Sequence, residues 1–133
     1  MKITTRYKSD YQYTSTNEAG HAVEIDMREG DKEHLGPMEM VLSALSGCVA
    51  VEVSLMIKKR RKALIDLKII AGGNRRTTPP RSYTDIELRF ILTSPDATVE
   101  ELTKVATLSL EKYCSVADSL KADISLVCEV NRS

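Results

Sequence analysis

The most constraining feature of the sequence is an apolar stretch at about residues 38–57, which holds two carboxylates, Glu39 and Glu52. Pro37 precedes it, and proline suits the first turn of a helix because its missing N–H would be unpaired there anyway. The pattern predicts a helix from Pro37 to about Lys62. Two carboxylates argue against a membrane span, so we expect a helix buried in protein.

Such a helix must be covered on several sides, which a chain of 133 residues could hardly achieve alone. We therefore expect a partner subunit to help cover it. The chain itself is most simply one domain, residues 1–133. Its 19 basic and 19 acidic residues cancel, so no global field would attract nucleic acid or a membrane surface.

Alternation of polar and apolar residues predicts strands on both sides of this helix. A capping box of Thr98 and Glu101 marks the start of a second helix, for which Leu102, Val105, Ala106, Leu108 and Ser109 form the inward face. The predicted strands are 3–7, 12–16, 22–27, 65–71, 85–92 and 124–130, and the predicted helices are 37–62, 98–113 and 115–121. This order, βββ–α–ββ–α–(α)–β, indicates an α+β fold with antiparallel sheets.

The three cysteines, Cys48, Cys114 and Cys128, form no close pairs, and the two histidines, His21 and His34, are isolated. A zinc site needs about four ligands at suitable spacing, so none is expected. The start of the chain lacks the apolar core of a secretory signal. An odd cysteine count without a signal indicates a reducing, cytoplasmic setting.

Cys48 has two explanations. A free cysteine in an apolar helix is usually a small buried hydrophobe. However, Gly47 precedes it, and glycine inside a helix costs about 1 kcal/mol relative to alanine. That cost is tolerable if something must approach the backbone closely, and close helix packing would explain the glycine equally well. Glu52 lies one turn further on. A nearby carboxylate raises the pKa of a thiol, so a reactive thiolate would need a cation.

The other two cysteines differ in their surroundings. Cys114 falls at a helix junction, where a thiol can be partly exposed, and Ser115 could cap the helix that follows. Cys128 alternates in phase with Ile124, Leu126 and Val130, so we expect it in the core.

Two motifs resemble those of a known family. GPMEMVLSALSGC (36–48) and SLEKYCSV (109–116) are similar to motifs of the OsmC/Ohr family of thiol-dependent hydroperoxide reductases, nearest to its OsmC-like branch. The resemblance covers nearly the whole chain. It implies an OsmC-like fold with a long buried central helix, and an intertwined homodimer with active sites at the subunit interface.

The resemblance also implies a reaction. Cys48 matches the peroxidatic cysteine and Cys114 the resolving cysteine of the family. The implied substrate is an organic or fatty-acid hydroperoxide, and the implied role is defence against oxidative stress. A disulfide would form between the two cysteines and be reduced by an external dithiol, such as a dihydrolipoyl group, with no bound cofactor.

The activating cation is implied to be an arginine. Arg28 lies where the OsmC branch has its arginine, while Arg6 is the weaker candidate from the position used in the Ohr branch. In the family a glutamate just after the helix-starting proline orients this arginine. Here that register holds Met38, and the carboxylate follows at Glu39. A shift of one residue along a helix turns the side chain by about 100° around the helix axis. Glu39 is therefore assigned the orienting role, and the direction of its side chain is left open.

Two rival functions remain. The same fold could bind an apolar small molecule or sense redox state with little or no peroxidase activity, and the shifted register of Glu39 motivates that alternative. Cys48 could also react with an electrophile other than a peroxide. Fold membership alone does not decide among these functions.

Overall fold

The structure is a computed structural model that describes all 133 residues. Its elements are β1 (Ile3–Ser9), β2 (Gln12–Asn17), β3 (Ala22–Asp26), α1 (Pro37–Lys59), β4 (Asp66–Arg75), β5 (Tyr83–Thr93), α2 (Val99–Leu108), a π-helical turn (Ser109–Tyr113), α3 (Ser115–Asp118) and β6 (Asp123–Asn131). The predicted order and the α+β class are confirmed. The chain divides into two compact units, residues 1–41 and 42–133.

The first unit contains an antiparallel sheet in the order β1–β2–β3. Tyr7 pairs with Tyr13, and Tyr13 with Ile25, so one face of the sheet is aromatic and aliphatic. The two tyrosine rings meet edge to face with centroids 5.7 Å apart. Tyr7 is nevertheless 64% exposed, so this apolar face is largely uncovered in the single chain.

Helix α1 buries one face only. Leu45, Val49, Val53 and Ile57, spaced by four residues, are fully buried in the core of the second unit. On length and hydropathy alone α1 is apolar enough to cross a membrane, since its most apolar window has a mean hydropathy of 2.0. Only 22% of that window is buried within the single chain. The expected burial on all sides is therefore not achieved within one chain.

Helix α1 ends at Lys59, so the predicted end near Lys62 is wrong. Arg61 adopts a left-handed conformation with φ 61°. The N–H of Arg61 bonds to the Lys58 carbonyl at 2.9 Å, and the N–H of Lys62 bonds to the Ile57 carbonyl at 3.3 Å. A left-handed residue with these bonds is a common way to end a helix, although glycine usually occupies it.

The second unit contains a mixed sheet in the order β4–β5–β6. Strands β4 and β5 are antiparallel, but β5 and β6 are parallel, so the prediction of purely antiparallel sheets is wrong for that pair. The physical reason is the connection, since α2, the π-helical turn and α3 form the long crossover that parallel strands require. The inward residues of β5 are buried as predicted: Ile86, Leu88, Phe90 and Leu92.

The predicted capping box of α2 is confirmed. The Glu101 N–H donates to Thr98 Oγ1 at 3.1 Å, and the Thr98 N–H donates to Glu101 Oε1 at 3.0 Å. Leu102, Val105 and Ala106 are buried, but Leu108 is 40% exposed, against expectation. At about 100° per residue, Leu108 lies about 60° beyond Val105, which is at the edge of the buried stripe.

Candidate active site

Cys48 lies on α1, half-buried beside the core of the second unit. Glu52 follows one turn later on the same helix, as the sequence predicts. A Cβ added at Gly47 would meet nothing within 4 Å. Within the chain, therefore, neither a close backbone approach nor close helix packing explains the glycine.

Cys114 directly follows the π-helical turn and is 4% exposed. Its sulfur accepts the Ala117 N–H at 3.3 Å and thereby caps α3. The sequence-based expectation that Ser115 would cap this helix is wrong, because Ser115 is its first helical residue. Short π-helical turns often occur at functional sites, where the extra residue redirects a side chain.

The two thiols are neighbours in the folded chain. Burial raises the pKa of the Cys114 thiol, the Ala117 N–H opposes that shift, and a hydrogen bond with Cys48 raises the pKa further. All three cysteines are free thiols. The structure thus brings together the two cysteines that the sequence motifs single out.

Cys128 has different neighbours. It is half-buried on β6, opposite Phe90 of β5, and packs against the core as expected. Burial raises the pKa of the Cys128 thiol, with a smaller opposing effect from the Thr103 hydroxyl. His21 and His34 are exposed, and no three His, Cys, Asp or Glu side chains are grouped as a metal site.

A groove of about 340 Å³ follows the same face of α1 beyond Glu52. Its lining combines apolar side chains with one carboxylate and with two cations near the end of α1. The lining residues are Glu52, Met56, Lys59, Arg60, Val105, Leu108 and Tyr113. Glu52 is one turn from Cys48 and Tyr113 is next to Cys114, so the groove begins close to both thiols along the chain.

In the first unit, Arg28 is held by Asp26. Its Nε donates to Asp26 Oδ1 at 3.0 Å, and an Nη donates to Asp26 Oδ2 at 2.7 Å. The Arg28 side chain is 30% exposed, whereas that of Asp26 is fully buried. The guanidinium hydrogen bonds hold the pKa of the Asp26 carboxyl well below its usual range, against the opposing effect of burial.

Glu39 has other partners. Its Oε1 accepts the Gly36 N–H at 3.0 Å and lies 3.8 Å from Lys32 Nζ, and its side chain is 59% exposed. Glu39 therefore caps the first turn of α1. Arg6 is exposed on β1, opposite Thr14.

Asp26 is the residue that sequence reasoning missed. Alternation places it on a strand face with Ala22 and Glu24, a pattern that suggests exposure. The available signal was its spacing, two residues before Arg28 at the end of a strand. That spacing is common and does not show that the carboxylate is buried.

The model of the OsmC-like protein family matches residues 30–129. The chain belongs to the OsmC-like family. It is 33% identical over 126 residues to protein YhfA of Escherichia coli K12, covering 95% of this chain and 93% of that protein.

Solved structures share the fold. A hypothetical protein from Aquifex aeolicus has a TM-score of 0.87 and 26% identity, covering 99% of this chain and 96% of the other. The organic hydroperoxide resistance protein OhrB of Bacillus subtilis has a TM-score of 0.63 and 12% identity, covering 98% and 96%. At that identity the likeness to OhrB shows the fold alone.

Proposed function

We propose that this protein is a thiol-dependent peroxidase that reduces organic or fatty-acid hydroperoxides. The observation that supports this most directly is the adjacency of Cys48 and Cys114 as free thiols, each within a family motif. Membership of the OsmC-like family also supports a redox role.

The proposed reaction begins at Cys48. Its thiolate attacks the distal oxygen of the hydroperoxide, the O–O bond breaks, and the departing alkoxide takes a proton to become an alcohol. Cys48 is left as a sulfenic acid. The Cys114 thiol then attacks that sulfur, forming a disulfide and releasing water, which protects Cys48 from further oxidation. An external dithiol, such as a dihydrolipoyl group, restores both thiols by exchange.

The proposed cation for the Cys48 thiolate is Arg28. A guanidinium is permanently charged and planar, so it can hold a carboxylate and a second anion at once. Arg28 already makes the first of these contacts with Asp26.

The proposed assembly is a homodimer. On α1 the face opposite the buried stripe holds Gly47, Val51 and Leu55, and the last two are each 58% exposed. An apolar helix face left open in this way needs a cover. A second copy of the chain is the cover that the family resemblance implies.

The test is hydroperoxide consumption with an excess of a small dithiol. Cys48→Ser is expected to abolish turnover, while Cys128→Ser, the matched control, should keep it. After one equivalent of hydroperoxide, the intact protein should lose the mass of two hydrogens, and a peptide map should link Cys48 to Cys114. Full turnover by Cys48→Ser would end the assignment.

A second candidate is a small-molecule-binding or redox-sensing protein with weak or no peroxidase activity. The observation that favours it is that Glu39 contacts Gly36 and Lys32 instead of an arginine. Under this alternative, an apolar ligand would co-purify with the protein and hydroperoxides would not be turned over.

A further inference from the structure

The buried carboxylate of Asp26 gathers N–H groups from the loop that follows β3. The main-chain N–H of Arg28 donates to Oδ1 at 3.1 Å, and that of Glu33 donates to Oδ2 at 2.9 Å. The Arg28 side chain adds its two bonds at 3.0 and 2.7 Å. Asp26 is fully buried, so these bonds replace its hydration.

These contacts indicate that Asp26 positions Arg28. Two main-chain N–H groups bond to the carboxylate in addition to the Arg28 side chain. The carboxylate is therefore a fixed support, and the guanidinium binds to it at two points. A two-point contact fixes both the position and the plane of the guanidinium, which a single contact cannot do.

We propose that Asp26 is the positioning residue for Arg28, in place of the helix carboxylate that the family resemblance assigns to Glu39. This inference rests on the proposed function, in which Arg28 holds the Cys48 thiolate. Asp26 accepts hydrogen bonds from two of the five N–H groups of the Arg28 guanidinium. The other three N–H groups are left to bind an anion. Glu39 is left to cap α1.

Asp26 has two opposite effects on a thiolate beside Arg28. It orients the guanidinium, which favours the thiolate, and its negative charge offsets part of the positive charge, which disfavours the thiolate. We infer that the gain from orienting the guanidinium is larger than the loss from the negative charge of Asp26. The Asp26–Arg28 pair is already in place, so it needs no rearrangement when the thiolate forms.

The test measures how fast iodoacetamide alkylates Cys48 between pH 5 and 9, in a Cys114→Ser, Cys128→Ser background where Cys48 is the only thiol. Asp26→Asn is expected to raise the midpoint pH of alkylation by about one unit, a roughly tenfold slower reaction at the acidic end. Glu29→Gln, the matched control, removes an exposed loop carboxylate next to Arg28 and should leave the rate within about twofold.

A double-mutant cycle separates positioning from general damage. Arg28→Met should slow alkylation as Asp26→Asn does, and the double variant should be no slower than Arg28→Met alone. Additive losses would overturn the inference, as would an unchanged or faster reaction in Asp26→Asn. A larger loss in Glu39→Gln than in Asp26→Asn would return the role to Glu39.

If Asp26→Asn does not fold, Arg28→Lys gives the same information. It keeps the charge and loses the two-point contact, so it should be nearly as slow as Arg28→Met, and a wild-type rate would overturn the inference. Alkylation does not depend on peroxide turnover. Failure of the proposed function would instead appear as hydroperoxide consumption by Cys48→Ser.

Discussion

The buried hydroxyl of Ser109 donates a hydrogen bond to the main-chain carbonyl oxygen of Val49 at 3.5 Å. Val49 follows Cys48 on α1, and Ser109 opens the π-helical turn that leads to Cys114. The bond therefore joins the two segments that hold the neighbouring thiols. The bond is longer than the roughly 2.5–3.0 Å usual between two oxygens, so it is weak.

Ser109→Ala should remove this link while leaving no large cavity. We expect the free energy of unfolding to fall by about 0.5–1 kcal/mol, typical of a modest hydrogen bond. The Cys48–Cys114 disulfide should also become easier to reduce in a glutathione redox buffer. Ser119→Ala is the matched control, since its hydroxyl bonds locally to the Ser115 carbonyl and is exposed. Equal disulfide stability in the two variants would contradict the prediction.

The open face of α1 makes a prediction about assembly. Val51→Glu and Leu55→Glu each place a charge on a side chain that is 58% exposed in the single chain. We expect the natural protein to sediment as the proposed homodimer and either variant to stay folded and sediment as a monomer, because a charge buried in an apolar interface is costly. Val99→Glu, which changes an exposed side chain at the start of α2, is the control and should give the same sedimentation as the natural protein. Dimers in all three variants would exclude this face as the interface.

The end of α1 offers a stabilising substitution. Arg61 has φ 61°, a conformation that costs a non-glycine residue about 1–2 kcal/mol. Arg61→Gly relieves that cost but loses more chain entropy on folding, so a net gain of about 0.5–1 kcal/mol is expected in urea unfolding. Lys59→Gly, which removes the same charge within the helix, should instead lose about 1 kcal/mol. A loss in both variants would show that Arg61 is not strained.

The contacts of Asp96 predict that the stability of the fold depends on pH. The Ala63 N–H, bonded at 2.9 Å, lowers the pKa of the Asp96 carboxyl, helped by Ser94 and Lys62 against some desolvation. A lowered pKa stabilises the fold fully above the unfolded value of about 3.9, and the contribution is lost as pH falls through the folded value.

Asp96→Asn should therefore be less stable than the natural protein at pH 7, with the difference shrinking between pH 4 and pH 2. Urea midpoints at pH 7, 4, 3 and 2 measure this. Asp66→Asn, an exposed change at the start of β4, is the control and should leave the urea midpoint at pH 7 nearly unchanged. A constant difference for Asp96→Asn would contradict the assigned cause.

Several features of the fold could be predicted from local patterns. The alternation of Ile86, Leu88 and Phe90 predicted a buried strand face, and the spacing of Thr98 and Glu101 predicted a helix start; both are present. These predictions succeed because the strand period and the capping geometry depend on residues only two or three positions apart.

Other local predictions were wrong where one residue's conformation decided the outcome. The basic run after Lys59 has good helix formers, yet Arg61 turns left-handed and ends α1 early. Similarly, the π-helical turn replaces the last turn of α2, so Cys114 and not Ser115 caps α3. Helix propensities differ too little between neighbouring residues to predict such boundaries.

By itself, the sequence determined the order of the elements, the phase of the buried faces and the two cysteine motifs, because each is written in short spacings along the chain. Only the tertiary structure decided that β6 joins β5 in parallel, that Cys114 lies beside Cys48, and that Asp26 is the carboxylate that holds Arg28. The reason is physical. These relationships form when segments that are distant in sequence pack together and exclude water from the groups between them. The sequence around a polar residue does not show which partner will compensate for its burial.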